Sequence, residues 1–253
     1  DGIMFARVRN QPEMLVVFRT PDERTRNPER LNLDRRQLDV CPFLEYEHRL
    51  RLLNYQNNNI TKIQHLENLP SLIFLDMYNN KLASLEGPVS CARGLRVLMA
   101  GKNRLTAISN LTALKKLDVL DLHSNEIKQI SGMGNLTDLR VLNLAGNMLT
   151  IVEGLSKLSA LTELNLRRNS IQTICELDAL PALQRIFLSH NKIATVDSMA
   201  PIFNVKYLIE LSLDGNPIST IDPVIYRAVM ADKIAGLKHL DLKRIADDER
   251  VEA

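Results

Sequence analysis

Leu117-Asp118-Val119-Leu120-Asp121-Leu122-His123-Ser124-Asn125-Glu126-Ile127 is the stretch on which the fold turns. Written generally it is Leu-x-x-Leu-x-Leu-x-x-Asn-x-Leu, with Ile, Met, Ala or Tyr sometimes replacing Leu. The first Leu recurs at Leu50, Leu72, Leu95, Leu117, Leu139, Leu161, Leu183 and Leu208, so the spacings are 22, 23, 22, 22, 22, 22 and 25. The Asn recurs in the same register at Asn58, Asn80, Asn103, Asn125, Asn147, Asn169, Asn191 and Asn216. Eight matches in one register mark a repeat, and a repeat of this length marks a solenoid.

The residue types dictate the geometry. A strand has period two, so the two Leu of Leu-x-Leu point into the coil and the x residues point out. Each turn lays its strand beside the next, which builds a parallel sheet along the concave side. The Asn stands where the chain leaves the strand, and its amide can satisfy backbone groups of adjacent turns, forming a ladder. In the sixth repeat the apolar set continues as Ile171, Ile174, Leu177 and Leu180, a period of three that predicts short 3₁₀ or irregular turns on the convex side. No repeat can bury its face alone, so stability comes from stacking.

Both ends depart from the pattern, as caps should. Leu31-Asn32-Leu33 with Leu38 and Cys41 is a degenerate first copy, with Arg36 in place of Asn. Leu237, Leu240 and Leu242 repeat the strand pattern without the Asn. Ile225, Val229 and Ile234 follow Asp222-Pro223 at helical spacing, which predicts a helix that covers the last open edge of the sheet. The expected organisation is a lead-in over 1–30 with a short strand at 14–18, one degenerate and eight full repeats over 31–220, and a cap with an outward-projecting charged tail over 221–253. The fold class is α/β, a solenoid with a parallel concave sheet, 3₁₀ or irregular convex turns and a C-terminal cap helix.

Composition agrees. Hydrophobic residues make up 45% of 253, aromatics only 4%, and Trp is absent, so the core must be aliphatic. With 32 basic and 30 acidic residues the net charge is +2, which gives no reason to expect nucleic-acid binding. No apolar run reaches 18 residues, so no membrane span is expected. Residues 1–11 do not read as a signal peptide, because Arg7 and Arg9 break any apolar stretch. The chain starts at Asp1 rather than Met, which fits a fragment with room for a targeting segment upstream. Cys41, Cys91 and Cys175 form neither a disulfide framework nor a CxxC pattern; they read as small buried apolar residues in a reducing compartment.

No catalytic motif stands out. There is no phosphate loop, no HExxH and no GxSxG. Gly132-Met133-Gly134 is a lone GxG that reads as a convex turn. The five His are scattered over different repeats without i,i+4 pairing, so neither a metal nor a cofactor is expected, and the chain does not read as an enzyme. The sequons Asn59-Ile60-Thr61, Asn110-Leu111-Thr112 and Asn135-Leu136-Thr137 read as accidents of a repeat rich in Asn and Leu.

What remains is the concave face, read off by alternation. The candidate partner-binding residues are Phe74, Asp76 and Tyr78; Val97 and Met99; Val119, Asp121 and His123; Val141 and Asn143; Glu163, Asn165 and Arg167; and Arg185 and Phe187. Phe74, Val97, Met99, Val119 and Val141 form an apolar column. Glu163, Arg167, Arg168, Arg185 and His190 form a charged cluster beside it. An apolar centre bordered by polar groups is the make-up of a protein interface.

These repeats look like the short leucine-rich-repeat class typified by the phosphatase-1 regulatory subunit and the axonemal dynein light chain. Tyr226-Arg227-Ala228-Val229 with Leu237-Lys238-His239-Leu240-Asp241 resembles the cap of that class. The flanks, where solenoid geometry does not dictate the residues, carry a closer likeness. Arg19-Thr20-Pro21, Asn27-Pro28-Glu29-Arg30-Leu31-Asn32-Leu33-Asp34-Arg35-Arg36 and Val40-Cys41-Pro42 resemble the start of the leucine-rich-repeat subunit of the tubulin polyglutamylase complex. Leu95-Arg96-Val97-Leu98, Gly101-Lys102-Asn103-Arg104 and Asp241-Leu242-Lys243-Arg244-Ile245 through Asp248-Glu249-Arg250 are similar to it too, so the likeness spans residues 14–250. The stretch Gly87-Pro88-Val89-Ser90-Cys91, where one extra residue lengthens the repeat, departs from it.

The resemblance implies a non-catalytic subunit that assembles or targets a ligase-like polyglutamylase chain, with tubulin or microtubules as further partners. It implies a cytoplasmic setting on the cytoskeleton, at the cilium or flagellum, basal body or centrosome. That family is longer than this chain, so a further C-terminal region is expected. Two other readings stand beside it: a fixed structural component of the axoneme, and a phosphatase regulatory subunit.

Overall fold

The computed structural model describes residues 2–250. Two antiparallel strands, β1 (Ile3–Val8) and β2 (Gln11–Arg19), open the chain as a hairpin. The helix α1 (Pro21–Arg26) follows, its first turn capped by the Thr20 side chain and started by Pro21. Next come β3 (Arg30–Asn32), the first concave strand, and β4 (Phe43–Leu44), on which β2 pairs in parallel. One short strand in the lead-in is therefore the second half of a hairpin that seals the first turn. Arg19 sits under it, with 0% of its side chain exposed, paired with Glu47 at 3%. Its Nη1 also donates to the Asn27 and Arg30 carbonyls.

One concave strand per turn follows: β5 (Leu52–Asn54), β6 (Phe74–Asp76), β7 (Val97–Met99), β8 (Val119–Asp121) and β9 (Val141–Asn143). On the convex side β10 (Ile151–Val152) pairs in parallel with a strand one repeat later. The concave series continues with β11 (Glu163–Asn165), and the convex partner of β10 is β12 (Thr173–Ile174). Then come β13 (Arg185–Phe187), the short helix α2 (Ala200–Phe203) and β14 (Glu210–Ser212). Convex 3₁₀ turns lie at Leu66–Asn68, Pro88–Cys91 and Leu177–Ala179, the period-three form expected from the sequence. The sheet is parallel and in register from β3 to β15, so residues one repeat apart stand side by side.

The core is a continuous aliphatic stack; Leu75, Leu98, Leu120, Leu142, Leu164 and Ile186 are 0% exposed. The Asn ladder closes it. The Asn147 amide donates to Leu144 O of its own turn and to Leu122 O of the preceding one, each at 3.0 Å, while its Oδ1 accepts from Ile127 N–H at 3.0 Å. Asn80, Asn103, Asn125, Asn169, Asn191 and Asn216 repeat this arrangement, so each turn is bonded to its predecessor. The residue before each ladder Asn is left-handed: Asn57, Asn79, Lys102, Ser124, Gly146, Arg168, His190 and Gly215. Gly132, of the GxG, is left-handed in a convex turn, and a Cβ there would lie 2.7 Å from Ile108 O.

At the far end α3 (Pro223–Lys233) forms the convex leg of the last turn, capped by Asp222. The helix caps the last strands, Arg227 donating to Leu240 O and Arg244 O. The open edge of the sheet is taken by β15 (His239–Leu240) and β16 (Lys243–Arg244), which pairs antiparallel to β15. The charged tail does not project outward, as far as residue 250. Arg227 pairs with Glu249, and Arg250 donates to Ala231 O and Leu237 O, which folds the tail over the cap. The Arg227 hydrogen bonds hold the Glu249 carboxyl down at about 2. Of the cysteines, Cys41 is buried, its thiol pushed up to about 12 by desolvation, but Cys91 is exposed and Cys175 half-buried. Among the described residues no helix is long and apolar enough to cross a membrane.

Candidate functional site

The concave face is built column by column from the register of the sheet. The first outward position of each strand carries Leu52, Phe74, Val97, Val119 and Val141 on five adjacent strands, all half-buried. Leu52 extends the apolar column one turn beyond the residues picked out by alternation. It stands in the same register as Phe74, and that register was its signal. The column then turns polar: Glu163 and Arg185 pair across β11 and β13 at 3.3 Å, followed by Glu210.

The second position carries Asp76, Met99, Asp121, Asn143, Asn165 and Phe187. Here structure and sequence reading part in emphasis. Oδ1 of Asp76, Asp121, Asn143 and Asn165 accepts the N–H two residues on, from Tyr78, His123, Ala145 and Arg167. These are Asx turns that end the strand, and they occupy one side-chain oxygen of each residue. Asp76 and Asp121 are also buried, whereas Asn143 and Asn165, with the same turn, are half-buried. Desolvation raises the Asp76 carboxyl above its usual range, against hydrogen bonds from Tyr78 N–H and Gln56 that lower it. The other Asp121 oxygen accepts from the Asn143 amide at 3.3 Å, so the column is laced together across strands.

At the third position Tyr78 of the β6 turn and His123 of the β8 turn stack with centroids 5.6 Å apart. Between them lies Gly101, where a Cβ would come within 2.4 Å of the His123 ring. His123 Nδ1 also meets Asp121 Oδ1 at 2.6 Å; that hydrogen bond raises the imidazole pKa, against partial burial. Toward the C-terminal end the Arg167 guanidinium lies 4.2 Å over the Phe187 ring. The structure thus gathers the fifteen candidate residues on one face as an apolar column, an Asx column and two aromatic contacts. Among the described residues no group of three or more His, Cys, Asp or Glu could hold a metal ion.

Comparison with known proteins agrees with this architecture. Family patterns described as leucine-rich repeats match residues 48–88, and again residues 93–149 and 151–193. The chain is a leucine-rich-repeat protein. Human leucine-rich repeat-containing protein 49 is 45% identical over 72 residues, which is 28% of this chain and 10% of that protein. The mouse protein of the same name is 45% identical over 65 residues, 26% of this chain and 10% of its own length. The matched stretch thus spans a tenth of these relatives. Among solved leucine-rich-repeat structures, a chain of the octameric complex of Latrophilin 3, Unc5D and FLRT2 superposes with a TM-score of 0.68 at 27% identity, covering 84% of this chain and 66% of that one. An internalin (inlF) from Listeria monocytogenes gives 0.62 at 22% identity, covering 78% and 62%, and shows the fold alone.

Proposed function

We propose that this leucine-rich-repeat chain is a non-catalytic subunit that assembles or targets a tubulin polyglutamylase complex to microtubules, with the concave face of the repeats as its partner site. The repeats over 31–220 serve as the binding body, and 1–30 and 221–253 as its caps. The single observation that supports a partner site is the in-register column Leu52, Phe74, Val97, Val119 and Val141, partly exposed on five neighbouring strands. A protein surface rarely leaves such a column open without a partner, and the bordering Glu163–Arg185 pair gives it a polar rim. The polyglutamylase setting rests on the resemblance over residues 14–250, which includes flank positions where side chains are free of the repeat's constraints.

Affinity purification of the tagged protein from ciliated or flagellated cells, followed by mass spectrometry, tests this. A ligase-like polyglutamylase chain in stoichiometric amount is the expected result. Recovery of only tubulin and axonemal structural proteins would contradict it and make the chain a fixed component of the axoneme.

A further inference from the structure

We propose a second binding site, off the concave face: a basic, amide-lined groove along the edge where the first strands end, which takes an extended acidic peptide. It holds whether or not the concave face binds a polyglutamylase. The groove has a volume of about 530 Å³ and is lined by Arg35, Lys81 and Arg104 with Asn57, Asn59 and Asn79. These residues come from the turns after β3, β5, β6 and β7, four successive turns of the solenoid. At about 4.8 Å per turn they span roughly 14 Å, the length of about four extended residues.

The repeat puts them there. Asn59, Lys81 and Arg104 each directly follow a ladder Asn, so the ladder fixes their backbones while their side chains stay exposed. The backbone N–H groups of Lys81 and Arg104 are tied to Ile60 O and Leu82 O, while among the described residues neither the Lys81 ammonium nor the Arg104 guanidinium has a hydrogen-bond or ion-pair partner. Lys102, exposed and left-handed, lies on the same turn as Arg104 but is not part of the groove's lining. The acids nearby mark its limits. Asp34, at the N-terminal end, is already held by the Asn57 amide at 2.8 Å and by Arg35 at 3.7 Å. Glu126 takes the next ladder-following position and ends the basic run.

The chemistry selects the ligand. Arg and Lys attract carboxylates, and an Arg fork can take one bidentately. The Asn79 amide donates to Asn57 Oδ1 at 2.7 Å and the Asn57 amide to Asp34, so these two are held in a chain that leaves the Asn79 side-chain carbonyl oxygen and the Asn59 amide to meet a peptide backbone lying among the cations. No aromatic side chain lines the groove, so it lacks the stacking platform that single-stranded nucleic acid uses.

The test is fluorescence anisotropy with a labelled ten-glutamate peptide and the purified chain. Saturable binding that weakens with added salt is expected. Lys81→Glu with Arg104→Glu should weaken it by roughly tenfold or more, and Lys81→Gln with Arg104→Gln by less but in the same direction. Lys128→Glu with Lys157→Glu makes the same change in net charge on other turns and should stay within about twofold of the parent. Thermal melts establish that each variant is folded. No saturable binding, or equal losses in both charge-reversal pairs, would overturn the proposal. So would tighter binding of an oligothymidylate of matched charge, which would make the groove a nucleic-acid surface.

Discussion

His123 reaches across a whole strand to stack on Tyr78, with planes inclined by 27°, because Gly101 leaves the intervening position empty. The same ring is held by Asp121 at 2.6 Å, and that hydrogen bond raises its pKa above the ordinary 6.5. The sign follows. The unfolded imidazole loses its proton near 6.5, the folded one at a higher pH, so the stabilisation is complete below 6.5 and is lost as pH rises through the folded value. Melting temperature should therefore fall across that window. Asp121→Asn should flatten the fall while keeping the strand-ending turn, as Asn143 and Asn165 do in their strands. A His123 NMR titration at or below 6.5 would contradict this.

The ladder carries a second expectation. Asn147→Leu removes the donor to Leu122 O and Leu144 O and the acceptor of Ile127 N–H, all in a residue only 9% exposed. Buried backbone groups left without partners should cost about 1–3 kcal/mol, read from urea unfolding. An unchanged midpoint would refute a structural role for the ladder.

The N-terminal seal gives a third. With Arg19 and Glu47 both buried, Glu47→Ala strands a guanidinium in the core and should cost about 3–5 kcal/mol. Arg19→Met with Glu47→Met removes both charges and should recover much of that loss. If the single variant unfolds no earlier than the parent, the pair is not what holds the hairpin to the first turn.

Much of this architecture is legible in the residues, for a physical reason. Leu120 and Leu122 face inward in one turn and their positions recur as apolar residues in the others, so the register, the parallel sheet and the Asn ladder follow from periodicity alone. The flanks lack that redundancy. The first strand of the hairpin, Ile3–Val8, is mostly exposed and shows no apolar alternation, so only Met14 to Phe18 stands out. The tail folds back through Arg227–Glu249 and Arg250, polar contacts that leave no periodic trace. Alternation also places Asp76, Asp121, Asn143 and Asn165 on the concave face but cannot show that each caps its own turn. That becomes visible only with the N–H two residues on.

The central claim is that the apolar column binds a partner, and Val119→Glu with Val141→Glu tests it most directly. Both side chains are half-buried on neighbouring strands, so two carboxylates would stand side by side where a partner's apolar surface should rest. The measurement is the amount of ligase-like chain that co-purifies with this variant relative to the parent, with circular dichroism and melting to show that the solenoid persists. Loss of the partner from a folded variant is the predicted result. Undiminished recovery would contradict the account and move the interface off the concave face.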